Sequence, residues 1–199
     1  MPDFKKQERT LVLGSTSPYR KELLSRLQIP FEVCAPGVDE TALPDEAPAA
    51  LATRLALAKA QAVAQRYPQA VVIGSDQVAE LNGQALGKPG SHAAAVQQLQ
   101  RMRGCSVVFH TALAVVCRAS GFSQAAESVV RVRFRLLTDA AIETYLHIER
   151  PYDCAGSAKS EGLGIALLDA IDSDDPTALI GLPLIRTCHL LRAAGVRLL

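Results

Sequence analysis

Residues 11–20 read LVLGSTSPYR, and this stretch sets the fold. Leu11–Gly14 is a short unbroken apolar run bounded by small polar residues, the mark of a buried strand. Ser17-Pro18 then opens a helix, with Ser as N-cap and Pro at the first helical position, expected to reach about Leu27. Working outward, Phe31–Cys34 after Pro30 reads as a second strand. Residues 35–47 hold three Pro or Gly and four acids, so they read as a loop. Pro48 starts a long Ala-rich helix to about Arg66, with Leu51, Leu55, Ala58 and Ala62 expected on one face. Ala70–Ser75 (AVVIGS) is a strand. Val78–Leu81 and Gln84–Leu86 flank Asn82-Gly83, a pair that favours a tight hairpin. Ser91 caps a helix to about Met102. Ser106–Arg118 and Gln124–Leu136 are long β runs joined at Ser120-Gly121. Thr138 caps a helix to about Ile148, residues 151–165 are mostly loop, and Pro183 starts a final helix to about Ala194. Strands and helices alternate while the hairpins require antiparallel pairing. The expected class is α/β, a mixed twisted sheet flanked by helices.

Composition narrows the function. The chain has 199 residues, 49% hydrophobic and 21% charged, which suits a packed domain and not a disordered one. The whole span 1–199 is expected to form a single domain, with residues 1–10 a flexible N-terminal extension. Lys and Arg number 21 against 20 acids, a net charge of +1, which argues against a partner that is a nucleic-acid polymer. No stretch of 18 apolar residues suggests a membrane span, and the opening MPDFKKQERT lacks the apolar run of a signal peptide. The five cysteines are odd in number and show no CxxC spacing. They are expected to be small buried hydrophobes in a reducing, cytoplasmic setting, without a disulfide framework or zinc site.

Four groups of residues can carry chemistry. In Gly14–Arg20 a helix start with small residues suits an anion, with Ser15 and Ser17 as hydroxyl donors and Arg20 as a planar cation; an N-cap beside a surface arginine fits the same pattern. Asp76, in Ile73–Gln77 (IGSDQ), is read as lying just after a strand, where open α/β sheets place ligand clefts. It could hold a divalent cation, take a proton from water, or only close a turn. Only six lysines occur; Lys88 and Lys159 lie in loops of small residues where an ammonium can reach a phosphate, and Lys59 lies on the Ala-rich helix. Asp39-Glu40 could join Asp76 in gripping a metal, or form a solvated acidic loop. The run Asp172–Asp175 reads as a surface turn. His92, His110, His147 and His189 show no ligand spacing and read as structural or surface residues. The absence of a G-x-S-x-G elbow disfavours a serine hydrolase.

Taken together, the chain resembles the Maf family of nucleotide pyrophosphatases. The matching stretches are LGSTSPYR (13–20), VDET (38–41), AKAQA (58–62), IGSDQ (73–77), LGKP (86–89), CAGSAKSEGLGI (154–165) and ALIGLPL (178–184), in family order. Ser75-Asp76-Gln77 and Lys159-Ser160-Glu161 look like the branch that hydrolyses 7-methyl-GTP, although Ala158 and Ala112 stand where that branch often has an aromatic and a glycine. The resemblance implies two α/β lobes around a central cleft, a divalent cation (Mg, Mn or Co), a small nucleotide substrate and a possible homodimer. It implies attack of water at the α-phosphorus, giving a nucleoside monophosphate and pyrophosphate. Asp76 matches the family's proton acceptor. Ser15, Arg20, Glu40, Lys59 and Lys88 match its phosphate- and metal-handling positions, with Ser17 beside them, and Glu40 and Asp76 are the metal candidates. Tyr19, Gln77 and Glu161 match positions tied to base selection: Glu161 would accept N–H bonds from a guanine edge, and Tyr19 would stack on a positively charged base. Alternatives are the same chemistry on dTTP, UTP or CTP, or a nucleotide-binding regulator of cell division with little catalysis.

Overall fold

In the computed structural model, which describes residues 9–199, the opening stretch folds as β1 (Leu11–Gly14) and α1 (Pro18–Ser25). The expected extension over residues 1–10 lies, apart from Arg9 and Thr10, outside the described residues. The remaining elements are β2 (Glu32–Val33), α2 (Pro48–Arg66), β3 (Val71–Leu81), β4 (Gln84–Leu86), α3 (His92–Met102), β5 (Ser106–Cys117), β6 (Phe122–Phe134), α4 (Asp139–Glu149), β7 (Leu168–Asp172) and α5 (Leu184–Ala193). They form one seven-stranded mixed sheet in the order β2-β1-β3-β5-β6-β7, with β4 also paired to β3. The α/β class and the mixed sheet flanked by helices are as the sequence implies.

The pairing of β3 creates the cleft. β5 lies antiparallel along one edge of β3 from Val72 to Glu80. The other edge is shared: β1 runs parallel beside Val71–Gly74, and β4 runs antiparallel beside Ala79–Leu81. Residues 75–78 therefore have no strand partner on that edge, and the sheet opens there.

Side-chain alternation splits the core accordingly. On one face Val12, Val72, Val78, Ala112 and Ala114 pack under α2. On the other face two apolar clusters lie end to end. One joins β1, α1 and α5 through Leu13, Leu23, Ile73, Leu113 and Leu191. The second joins α3 and α4 through Leu81, Leu99, Phe109, Ile142 and Leu146. Between them stand the polar residues Ser75, Gln77 and Thr111, which bond to the carbonyls of residues 178–181. This polar seam divides the two lobes.

Several sequence expectations need correction. Ala70–Ser75 and Val78–Leu81 belong to one continuous strand, because β5 pairs throughout and the polar triplet between them finds partners. Asp76 is thus mid-strand, although it does lie just beyond the carboxyl end of β1. α1 stops at Ser25, since Gln28 takes a positive φ of 55°. β2 is two residues long, shorter than Phe31–Cys34. The buried face of α2 is Leu51, Leu55, Ala56, Lys59, Ala60 and Val63; Ala58 and Ala62 are only half-buried. A lysine on the buried side displaced the sequence reading of that face. Edge strand β7 is mostly exposed and carries no clean alternation, so it escaped the reading. Asp175 is buried, not on a surface turn: its carboxylate accepts from the Thr177 N–H and O–H and from the Ile185 N–H, fixing the start of α5. Of the five cysteines, all free, only Cys117 is fully buried.

Candidate active site

α2 lies unusually close to the sheet because Gly14 and Gly74 are paired beneath it. A Cβ at Gly74 would meet Ala56 O at 2.3 Å and Ala60 N at 2.5 Å, and one at Gly14 would meet Lys59 O at 3.3 Å. The close approach delivers the Lys59 side chain to β3 two residues beyond Gly74. There the Lys59 ammonium lies 2.6 Å from Asp76 Oδ1 and 2.6 Å from Glu40 Oε1. Lys59 and Asp76 are only 4% and 7% exposed, and removing either would leave the other a buried group short of a partner.

Glu40 arrives from the 35–47 loop, which α2 holds in place. Arg54 makes a two-pronged contact with Glu46 (Nε 2.6 Å, Nη2 2.7 Å) and donates to Thr41 O at 3.0 Å. Asp39 does not line the cleft; its Oδ1 accepts from the Thr41 N–H and O–H. Burial raises the Glu40 carboxyl, but the Lys59 hydrogen bond and the Lys59, Lys88 and Arg20 charges outweigh it, leaving it below the ordinary value.

The α1 start forms the adjoining wall. Ser17 caps the helix, accepting from the Arg20 N–H at 3.4 Å, and Ser15 Oγ accepts from the Ser17 N–H at 3.2 Å. Arg20 Nε donates to Gly181 O at 2.9 Å, and its Nη1 lies 3.5 Å from Ser15 Oγ. Burial lowers the Arg20 guanidinium from its ordinary value, while Asp76 and Glu40 pull it back up. Arginine stays charged under such a shift. The N-cap reading holds, and Ser15, Ser17 and Arg20 also line the same cavity.

That cavity has a volume of about 470 Å³ and is lined by Ser15, Ser17, Tyr19, Arg20, Glu40, Lys59, Asp76, Gln77, Lys88 and Glu161, whereas the candidates Asp39 and Lys159 lie outside its lining. Its charges fall into two neighbourhoods. Arg20, Glu40, Lys59, Asp76 and Lys88 act on one another. Tyr19, Asp153, Cys154 and Glu161 form the second group: burial and the neighbouring Cys154, Asp153 and Glu161 push the Tyr19 hydroxyl up, and burial with Asp153 raises the Cys154 thiol to about 11. Gln77 is committed locally. Its amide nitrogen donates to Thr111 Oγ1, Ala178 O and Leu179 O at 2.9–3.0 Å, so its first task is to hold the seam.

Lys159 departs from its sequence reading. Its ammonium pairs with Glu149 Oε1 at 2.9 Å and sits 5.8 Å from the centre of the Tyr19 ring, and it does not line the cleft. Sequence reasoning also missed Asp153, which was one acid within a loop, and the Arg54–Glu46 clamp, whose partners stand eight residues apart across the start of α2 and carry no motif.

An open α/β sheet with cations and carboxylates gathered at a break in pairing defines a charged cleft of small-molecule size. Residues 10–194 match the family model described as Maf-like protein, and the chain belongs to the Maf family. It is similar to a protein of Albidiferax ferrireducens named 7-methyl-GTP pyrophosphatase, 68% identical over 192 residues that cover 96% of each chain. A protein of the same name from Polaromonas sp. is 70% identical over 190 residues, 96% of this chain and 87% of that one. A third, from Aromatoleum aromaticum, is 60% identical over 188 residues, 94% of this chain and 97% of its own. The family resemblance carried by the seven sequence stretches is borne out.

Proposed function

We propose that the chain is a nucleotide pyrophosphatase that hydrolyses 7-methyl-GTP to 7-methyl-GMP and pyrophosphate. The observation that carries this reading is the Lys59 ammonium held between Asp76 and Glu40 in a cleft shared with Arg20 and Lys88. The shared name of relatives at 60–70% identity supports the choice of base. No helix among the described residues is long and apolar enough to cross a membrane.

In this reading Arg20, Lys88, Ser15, Ser17 and the α1 start hold the triphosphate. No hydrogen bond among the described residues reaches Asp76 Oδ2, while Lys59 anchors Oδ1. The free oxygen accepts a proton from water as that water attacks the α-phosphorus, and pyrophosphate leaves. Such a reaction asks the protein mainly for placement and charge stabilisation.

The charge balance calls for a cation. Three cationic side chains and four carboxylates line the cleft, so a triphosphate entering it needs further positive charge. Glu40 and Asp76 are neighbours through the Lys59 ammonium, which meets one oxygen of each; their second oxygens are hard donors of the kind that hold Mg²⁺ or Mn²⁺ together with substrate phosphates. Bound there, a divalent ion would supply neutralisation of the developing phosphate charge. The other neighbourhood suits the base: Asp153 and Glu161 beside the Tyr19 ring favour a ring carrying positive charge.

Release of pyrophosphate from a panel of 7-methyl-GTP, GTP, dTTP, UTP and CTP, with Mg²⁺, Mn²⁺ or Co²⁺, tests the reading. Preference for 7-methyl-GTP is expected. Faster turnover of a pyrimidine nucleotide would reassign the base, and binding without pyrophosphate release would favour a regulator. Glu161→Ala is expected to lower the kcat/KM ratio of 7-methyl-GTP over GTP by about tenfold, the scale of one charge-assisted contact. An unchanged ratio removes Glu161 from base selection. Arg54→Ala is expected to lower kcat/KM by about ten- to a hundredfold by loosening the loop that presents Glu40, with little change in melting temperature. The same clamp sets an acid limit. Hydrogen bonds from Arg54 and the Leu43 N–H hold the Glu46 carboxyl at about 2 against an ordinary 4.5. Its folded-state value is depressed, so the clamp is fully present above pH 4.5 and is lost as pH falls toward 2. Proteolysis of the 39–46 loop as a function of pH would follow that window if the clamp governs the loop.

A further inference from the structure

A second cluster of metal-binding side chains lies outside the cleft, where the sequence reading saw only structural or surface histidines. His92 stands at the first turn of α3, while Glu143 and His147 stand one turn apart on α4. His92 Nε2 is 2.8 Å from Glu143 Oε2, and His147 Nε2 is 3.7 Å from the same oxygen. The three donor atoms lie within 4.8 Å of one another. Ligands of a tetrahedral zinc ion stand roughly 3.3 Å apart, given metal–ligand bonds of about 2.0–2.1 Å.

Further contacts hold His92 in place. Its Nδ1 lies 3.0 Å from the Tyr152 hydroxyl, which also lies 3.4 Å from Leu146 O, so the ring is fixed at one nitrogen while the other faces Glu143. The Tyr152 contact is also the outer support that metal-bound histidines usually have.

We propose that His92, Glu143 and His147 form a binding site for a divalent transition metal, zinc by donor preference, separate from the nucleotide cleft. Two imidazoles and one carboxylate select zinc, nickel or copper over magnesium. The site braces the junction of α3, α4 and the segment 150–154. Tyr152 O also accepts from the Gly90 N–H at 3.0 Å, and the adjoining Asp153 and Cys154 reach the cleft wall. Bound zinc therefore stiffens the wall beside Tyr19 without touching the triphosphate end.

Calorimetric titration of zinc chloride into the full chain carrying Asp76→Asn, which removes one of the two candidate metal ligands of the cleft and leaves Glu40 paired with Lys59, tests the site. One equivalent of zinc is expected to bind and to raise the melting temperature. Adding His147→Gln is expected to abolish that binding; His147 is 73% exposed, so the replacement leaves the fold intact. Tyr152→Phe is expected to weaken it by about tenfold. Cobalt(II) should give a visible spectrum without sulfur-to-metal charge transfer, which separates the site from the free thiols. Equal zinc uptake with and without His147, thiolate bands in the cobalt spectrum, or no uptake at all would overturn the proposal and leave the cluster a set of hydrogen-bonded side chains.

Discussion

Asp76→Asn is expected to lower kcat for pyrophosphate release by about 10²–10⁴-fold, the usual span for a general base. The replacement preserves shape and still offers an oxygen to the Lys59 ammonium, which keeps Glu40 at 2.6 Å. Folding should therefore be nearly unchanged, and the loss should fall on turnover. The amide removes the one property that the water needs: a carboxylate oxygen able to take its proton. Turnover like that of the wild-type chain in this variant would remove Asp76 from the role. Loss of folding in a thermal melt would show instead that the buried ion pair is structural.

Gly74→Ala is expected to damage both stability and catalysis. The added Cβ would meet Ala56 O at 2.3 Å, Ala60 N at 2.5 Å and Ala60 Cβ at 2.9 Å. Two of these are backbone atoms of α2, so no side-chain rotation relieves the contact and the helix must lift. Overpacking of this kind costs about 1–3 kcal/mol. For a chain of this size each kcal/mol lowers the melting temperature by about 2–4 °C, so a fall of roughly 6–12 °C is expected at the upper end. Lifting α2 also withdraws Lys59 from Asp76, and kcat should fall by about a hundredfold even where the variant is folded. Gly87→Ala serves as the stability control, since nothing lies within 4 Å of a Cβ there. An unshifted melting temperature in Gly74→Ala would show that α2 is not held by this contact.

Much of this arrangement is legible in the residues themselves. The capping of α1 by Ser17 and Pro18, the start of α2 at Pro48 and the Asn82-Gly83 turn are local signals, and local physics decides them. The site residues were legible as a set only through the family resemblance of the seven stretches; read locally, Ser17 is also an N-cap and Glu40 also a solvated loop acid. What was not legible depends on long-range pairing. Ser75-Asp76-Gln77 looks like a strand end because its polarity breaks the apolar run. It continues as strand because Ala112 and Thr111 of β5 pair with it and residues 178–181 satisfy Ser75 and Gln77. The resemblance puts Lys59 at a phosphate- or metal-handling position, but only the glycine pair beneath α2 shows how its ammonium reaches Asp76. Lys159 looked free for a phosphate, and only the fold shows Glu149 already holding it. His92 is separated by half a hundred residues from Glu143 and His147, so no spacing rule could join them.

Hydrolysis of 7-methyl-GTP in ¹⁸O-enriched water, followed by mass spectrometry of both products, tests the central claim most directly. One labelled oxygen in 7-methyl-GMP, with unlabelled pyrophosphate, is the predicted result, because the water primed at Asp76 attacks the α-phosphorus. Label in the pyrophosphate, or orthophosphate as the released product, would contradict the account.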